Sequence, residues 1–97
     1  MSRLSVVLPA YNEEQILAKT CRTLKEILSF SEIEYELVFV DDGSSDKTWN
    51  VIEKVSKEDR NISGIHFSRN FGKEAAIIAG LAQASGDAVA VMDCDLQ

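Results

Sequence analysis

Four short apolar runs divide this chain, and each of them ends in polar or acidic residues. The runs occupy residues 4–9, 35–42, 62–68 and 87–93. Because they are apolar on both faces, they are typical of parallel strands covered by helices on each side of a sheet. Strand–helix–strand repeated along the chain predicts an α/β fold with three layers, α/β/α, and a mostly parallel sheet.

Three segments with helical periodicity separate these runs, and we expect helices at 13–30, 46–58 and 72–84. In the first, Asn12 followed three residues later by Gln15 predicts an N-cap with a capping box. Ser44 or Ser45 is expected to cap the second. The third is apolar nearly all round, so we expect it to be well buried.

The order of the strands predicts where a ligand would bind. Right-handed crossovers, which are nearly obligatory, permit the order 3-2-1-4, with a topological switch between strands one and four. Ligands of such sheets bind at the carboxyl ends of the strands near the switch. The segments that follow the four strands are PAYNEE, DDGSSD, SRNFGKE and DCDLQ. Polar and acidic residues therefore collect at one edge, which predicts a ligand site there.

Composition limits the possible partners and settings. The net charge of −6 makes nucleic acid an unfavourable partner, because phosphate binding needs a basic face. No apolar run is long enough to span a membrane or to act as a signal peptide. Cys21 and Cys94 match no metal or disulfide spacing, so we expect two small buried thiols, which fit a reducing, cytosolic setting.

Asp93 and Asp95 form the most informative pair of acids. Their side chains point the same way if the fourth strand continues through them. Two carboxylates with waters and a ligand phosphate suit Mg²⁺ or Mn²⁺, and Gln97 at the next same-face position could add a third oxygen. Isolated pairs of this kind more often cap turns. At the end of a buried strand that faces other acids, the pair predicts a metal site.

Asp41 and Asp42 end the second strand just before Gly43. A carboxylate there can accept hydrogen bonds from a ribose or a base, or it can cap the turn that follows. We expect one aspartate in each role.

The other edge residues have open alternatives. Pro9 is expected to end the first strand. The ring of Tyr11 could pack on a base, whereas Glu13 could equally be placed by the helix dipole. Arg69 and Lys73 are the cations of this edge, and either could pair with a diphosphate or offset the acids. We expect His66 to be a core or surface residue rather than a catalytic one.

Three nucleotide or phosphate folds fit poorly. A dinucleotide-binding fold needs G-x-G-x-x-G after the first strand, and PAYNEE contains no glycine. A P-loop needs Gly-Lys-Ser/Thr, which FGKE lacks. A phospho-acceptor receiver domain would have acids at the end of the first strand, where this chain has Tyr-Asn-Glu-Glu.

The segments VVLPAYNEE, LVFVDDGSSDKTW, SRNFGKEAAIIAGLAQASGD and VMDCDLQ together resemble the family 2 glycosyltransferases, which have the Rossmann-like GT-A fold. The resemblance is greatest to the bacterial polyprenyl-phosphate (bactoprenol) glycosyltransferases, relatives of dolichyl-phosphate mannosyltransferase. It covers all 97 residues in order and spacing.

The resemblance implies roles for several residues of this edge. Donor nucleotide binding falls to Pro9, Ala10, Tyr11, Glu13 and one of the aspartates Asp41 and Asp42. Arg69 and Lys73 are further candidates for donor binding because of their position at this edge. Asp93 and Asp95 would bind the divalent cation, Mg²⁺ or Mn²⁺, and Gln97 would join them. The cysteine between the two acids replaces a common alanine, and its side chain should point away from the metal.

The resemblance also implies a metal-dependent reaction, in which a sugar passes with inversion from a nucleoside diphosphate sugar, expected to be a UDP-sugar, to a polyprenyl phosphate. The acceptor is already an anion, so no catalytic residue beyond the metal site is expected in this chain. The alternatives are a non-catalytic module that binds a nucleotide or nucleotide sugar, and a receiver-type switch.

By the same resemblance, residues 1–97 are the N-terminal nucleotide-sugar-binding part of a longer enzyme at the cytoplasmic face of the membrane. Its acceptor half and transmembrane helices would follow Gln97. Alone, the chain is expected to be soluble and inactive. It is also expected to self-associate through surfaces that the remainder would cover.

Overall fold

The computed structural model describes residues 2–95 as a four-stranded sheet with helices on both faces. The elements are β1 Arg3–Ala10, α1 Leu17–Phe30, β2 Glu34–Asp41, α2 Thr48–Glu58, β3 Ile62–His66, α3 Lys73–Gln83 and β4 Ala88–Val91. All three strand pairings are parallel, and the strand order is β3-β2-β1-β4. The predicted α/β class and strand order are confirmed, with the switch between β1 and β4.

β1 lies at the centre and is buried on both faces, because successive side chains of a strand point to opposite sides. Val6 and Leu8 belong to the core that α1 and α2 cover. Val7 packs with Val38 and Ala76 in a second, smaller core beneath α3. The molecule therefore has the predicted three layers, with two helices on one face of the sheet and one on the other.

The predicted capping of the first two helices is wrong. α1 begins at Leu17 with Ile16 at its N-cap, and no side chain caps it. Residues 14–16 form a turn instead, in which the amides of Ile16 and Leu17 both donate to the carbonyl of Glu13. The side chain of Asn12 is bonded to a different loop.

α2 begins at Thr48, after the predicted start, with Lys47 at the N-cap position. Neither Ser44 nor Ser45 caps it. The amide of Thr48 donates instead to Oδ1 of Asp46 at 2.9 Å.

All four strand ends also differ from the prediction, that of β2 by one residue, at Asp41. Pro9 does not end β1, which continues to Ala10 while Pro9 pairs with Val40 of β2. β3 and β4 end two residues early, at His66 and Val91. The consequence is that Asp93 and Asp95 lie beyond the last strand, so strand alternation is not what orients them.

The expectation that α3 is well buried is wrong. Only Ala76 and Gly80 of this helix are buried, because α3 packs on the sheet along a single face. A Cβ on Gly80 would lie 2.3 Å from Cγ1 of Val7, so the glycine permits the close approach of helix and strand. Ile78 and Leu81 remain exposed, by 67% and 45% of their surface.

Cys21 and Cys94 are buried free thiols, as predicted. Burial raises the pKa of both, that of Cys94 to about 12. Within residues 2–95, none of the helices combines the length and the apolar character that crossing a membrane requires.

Candidate functional site

A cavity of about 180 Å³ opens at the carboxyl ends of β1 and β4, beside the topological switch. Its lining residues are Pro9, Ala10, Tyr11, Glu13, Asp42, Lys73, Asp93, Cys94 and Asp95. The structure thus brings together all the predicted site residues except Asp41 and Arg69, and Gln97, which lies outside the described residues. A larger cavity of about 340 Å³ lies between α1 and α2, away from these residues.

Carboxylates from the segments after β1 and β4 lie close together in this cavity. Partial burial raises the pKa of Glu13, and the charges of Asp95, Asp46 and Asp93 raise it further. Asp95 lies in a turn at residues 94–95, and this turn rather than a continuing strand brings Asp93 and Asp95 to the same cavity. The result is a concentration of negative charge that favours a bound cation.

Lys73 is the one cation among the described residues that line this cavity. It is the first residue of α3, and its Nζ donates to Oδ1 of Asp93. About half of each side chain is exposed, 59% for Lys73 and 45% for Asp93, so water screens the pair. An ammonium group held this lightly can exchange partners when an anion or a second cation arrives.

The donor set fits a hard divalent cation. The described residues contain no cluster of three or more His, Cys, Asp or Glu side chains arranged to hold a metal. Mg²⁺ and Mn²⁺ commonly use one or two carboxylates and take their other ligands from water and substrate phosphate. Asp93 and Asp95 would be the carboxylates that this chain contributes to an open site of this kind.

The two adjacent aspartates at the end of β2 have different partners. Asp41 is fully buried, and its Oδ1 accepts a hydrogen bond from the amide of Ser44 at 3.0 Å, which closes the turn. Its Oδ2 lies 3.4 Å from Nε2 of His66. Asp41 is thus the turn aspartate, and it does not line the cavity.

Asp42 lines the cavity, but its carboxylate is already bonded to the loop that leads into α3. It accepts hydrogen bonds from the amide of Phe71 at 2.8 Å, from the amide of Gly72 at 3.1 Å and from Nδ2 of Asn70 at 3.0 Å. Asp42 therefore fixes the segment from which Lys73 reaches the site.

Arg69 and His66 lie outside the cavity. The guanidinium of Arg69 is 4.7 Å from the centre of the Phe71 ring. His66 stacks on Trp49 with ring centres 4.5 Å apart, and about half of its side chain is exposed.

Sequence reasoning missed the hydrogen bonds that join the loops after β1 and β2. Oδ1 of Asn12 accepts from the amide of Ser45 at 2.9 Å, and Oγ1 of Thr48 accepts from the amide of Glu13 at 2.8 Å. These partners are more than 30 residues apart, so no local pattern reveals them. The one feature of the sequence that could have pointed to this loop structure is Asn12 itself, because asparagine tolerates the left-handed backbone conformation.

A model of the family described as "Glycosyl transferase family 2" matches residues 5–97. The bactoprenol glucosyl transferase of Shigella phage SfV is 42% identical over 95 residues, which are 98% of this chain and 31% of that protein. The chain thus spans less than a third of the length of this relative.

Two solved structures share the fold. The mannosyltransferase PcManGT from Pyrobaculum calidifontis, in complex with GDP-Man and Mn²⁺, superposes with a TM-score of 0.85 at 24% identity, covering 97% of this chain and 28% of that one. S. aureus TarS 1-349 in complex with UDP superposes with a TM-score of 0.82 at 31% identity, covering 96% and 27%.

Proposed function

Because the chain belongs to glycosyl transferase family 2 and has the GT-A fold, we propose that it is the nucleotide-sugar-binding part of a glycosyltransferase. The reaction is transfer of a sugar from a UDP-sugar to a polyprenyl phosphate, with inversion at the anomeric carbon. The single observation that carries the proposal is the acid-lined cavity at the switch between β1 and β4, which joins residues from all the loops expected to bind a donor.

The shape of the cavity supports a nucleotide on the β1 side. Pro9 and Ala10 form an apolar wall, and Tyr11 exposes about half of its surface beside them. An exposed aromatic ring at this position can stack on a base. The TarS structure holds UDP, which supports a uracil nucleotide as the first one to test.

The opposite side of the cavity supports a diphosphate. Asp93 and Asp95 would hold Mg²⁺ or Mn²⁺, which would neutralise the charge that develops on the leaving diphosphate. Lys73 adds a positive charge from α3 and can donate to a diphosphate oxygen in exchange for Asp93. Glu13 contributes to the field that retains the cation.

The polyprenyl phosphate acceptor is proposed because of the charge of its phosphate group. A phosphate on a polyprenol is already anionic near neutral pH, so it attacks without a general base, and no residue of this cavity has to remove a proton. The phage relative is named for bactoprenol and extends far beyond the matched residues. We propose that a longer protein containing this chain carries the acceptor region in its other residues. Any membrane helices would also lie there, and the site would be at the cytoplasmic face of the membrane.

The experiment that tests this proposal is thermal melting of the chain with UDP, GDP or NAD, each with and without Mn²⁺. A ligand at one hundred times its dissociation constant stabilises a protein by about 2.7 kcal/mol, which raises the melting temperature of a domain this size by roughly 10 °C or more. We expect a manganese-dependent shift with UDP. The double variant Asp93→Asn, Asp95→Asn serves as the control that should lose the manganese dependence.

An equal shift with NAD, or a UDP shift that survives unchanged in the double variant, would contradict the proposed site. If GDP alone raises the melting temperature, the base is guanine rather than uracil, and the proposed site stands. Repeating the measurement on a full-length protein that contains this chain shows whether further residues complete the site.

A further inference from the structure

Asn12 forms hydrogen bonds that join the loop after β1 to the loop after β2. The β1–α1 loop, residues 11–16, carries Tyr11 and Glu13 into the cavity, and the β2–α2 loop, residues 42–47, runs beside it. Oδ1 of Asn12 accepts from the amides of Ser45 at 2.9 Å and Asp46 at 3.3 Å. The amide of Asn12 donates in return to Oγ of Ser44 at 2.8 Å.

The hydrogen bonds continue along the β1–α1 loop. The amide of Glu13 donates to Oγ1 of Thr48 at 2.8 Å, and the amide of Glu14 donates to Oδ2 of Asp46 at 3.3 Å. Thr48 is fully buried and therefore anchors this row of bonds in the core. Three successive amides, those of residues 12, 13 and 14, are thus satisfied by side chains of residues 44, 46 and 48 rather than by a helix.

We propose that Asn12 is a positioning residue, which fixes Tyr11 and Glu13 in their donor-binding conformation by bridging the β1–α1 loop to the β2–α2 loop. This inference rests on the proposed function. Asn12 does not line the cavity itself, but it stands between two residues that do. Any rotation of its backbone would move the Tyr11 ring and the Glu13 carboxylate together.

Two properties of asparagine meet at this position. The backbone of Asn12 has φ 54°, in the left-handed region where glycine and asparagine are tolerated and most other residues are strained. Its side-chain oxygen also accepts from two backbone amides at once. Glycine would keep the first property and lose the second, whereas aspartate would keep both.

This separation defines the test. Asn12→Gly, Asn12→Asp and wild-type protein are compared by calorimetric titration with UDP and Mn²⁺ and by amide hydrogen exchange. In Asn12→Gly we expect faster exchange at Ser45 and Asp46 and about fivefold weaker UDP binding, the effect of roughly one net hydrogen bond. Asn12→Asp should restore both to near wild-type values. Asn50→Asp, on the exposed surface of α2, is the control for the added charge.

The outcomes separate the inference from the proposed function. If wild-type protein binds UDP and Asn12→Gly binds it equally well, or if Asn12→Asp binds as weakly as Asn12→Gly, the positioning role is overturned. If the wild-type chain binds no UDP, the same variants are compared in a full-length protein that contains it; if that protein binds no UDP either, the proposed function fails, and the donor-positioning role falls with it. Exchange at Ser45 that does not change in Asn12→Gly would show that the bridge itself is absent.

A second variant keeps the test decisive if Asn12→Gly does not fold. Ser44→Ala removes the acceptor for the Asn12 amide and leaves Asn12 intact. It should raise exchange at the Asn12 amide and weaken UDP binding in the same direction. Unchanged UDP binding in Ser44→Ala would then overturn the inference.

Discussion

At the scale of single residues, the ion pair between Lys73 and Asp93 has a double consequence. While the pair is formed, the ammonium of Lys73 offsets part of the charge of Asp93 and is occupied by that carboxylate. A divalent cation on Asp93 competes with the ammonium, and the released ammonium becomes available to an anion. Metal and diphosphate binding should therefore depend on Lys73 in opposite directions.

Replacing Lys73 by methionine tests this dependence. We expect UDP to bind about two- to fivefold more weakly, the range of an exposed ion pair. Mn²⁺ without nucleotide should bind at least as tightly as to wild-type protein, because the competing positive charge is gone. Calorimetric titration of Mn²⁺ alone, and of UDP at saturating Mn²⁺, measures the two effects.

Lys54→Met is the matched control, since it removes the same charge from α2 at a distance from the cavity. It should change the affinities for UDP and for Mn²⁺ only by the small amount that the altered net charge produces. Weaker Mn²⁺ binding in Lys73→Met would mean that Lys73 supports the cation site rather than competing for it.

The acids show how far single residues can be predicted. The sequence indicated that one aspartate of the pair 41–42 would close a turn, because Gly43 and Ser44 follow directly, and Asp41 does so. It did not indicate that Asp42 would bind the backbone of residues 71 and 72, because those donors are 29 and 30 residues away and carry no side-chain signature. Local chemistry could be predicted here, and long-range backbone contacts could not.

At the scale of elements, the loops after β2 and β3 touch at Gly43. This residue has φ +69°, and a Cβ placed on it would lie 2.1 Å from the backbone carbon of Arg69 and 2.3 Å from the amide nitrogen of Asn70. Both of these neighbours are backbone atoms, which cannot move aside by rotation as the end of a side chain can. The glycine therefore sets how closely the two loops that hold Asp42 approach.

Gly43→Ala should destabilise the fold through both its φ and this overlap. We expect a loss of about 3 kcal/mol or more in the free energy of unfolding, from left-handed strain of about 1–2 kcal/mol and overpacking of similar size. Urea denaturation followed by circular dichroism measures the loss.

Gly72→Ala provides the comparison, because Gly72 also has positive φ, +106°, but nothing lies within 4 Å of its Cβ position. The Gly72→Ala variant should lose only the part of the free energy of unfolding that backbone strain accounts for. The strain at Gly72 is about 1–3 kcal/mol, because its φ of 106° and ψ of 157° lie in a region that essentially only glycine adopts. A loss in Gly43→Ala no larger than about 1–2 kcal/mol, the left-handed strain alone, would show that contact between the loops adds nothing to it.

The elements themselves were predicted with unequal success, for physical reasons. Strand order and parallel pairing followed from alternation and the handedness of crossovers, and both are confirmed. The start of α1 was placed too early, because the side chain of Asn12, which has the chemistry of an N-cap, binds the β2–α2 loop instead. The burial of α3 was overestimated, since apolar composition does not determine how many faces of a helix the rest of the chain covers.

At the scale of the whole molecule, the face of the sheet that α3 covers leaves apolar surface exposed. Val89 and Val91 pair in register with Ser5 and Val7 of β1, so they share the face on which α3 lies. Each is 43% exposed, on a strand whose outer edge pairs with no other described strand. An open strand edge beside exposed apolar side chains favours association between copies.

We therefore expect this chain to self-associate, with the α3 face as the contact. Sedimentation velocity over a range of concentrations should show mass rising above that of the 10.7 kDa monomer. Ile78→Glu places a charge on the exposed side of α3 and should shift the protein toward monomer. Ile27→Glu makes the same substitution at a residue 55% exposed on α1, on the opposite side of the sheet, and should leave association unchanged.

The two variants assign the contact to one face. If Ile27→Glu disrupts association and Ile78→Glu does not, copies meet through the layer of α1 and α2, and the exposed valines of β4 are not the cause. If wild-type protein remains monomeric at the highest concentration, the open edge of β4 does not cause association, and the prediction is wrong. A stable contact commonly buries about 800 Å² on each copy, so a single charge at its centre should be sufficient to separate these outcomes.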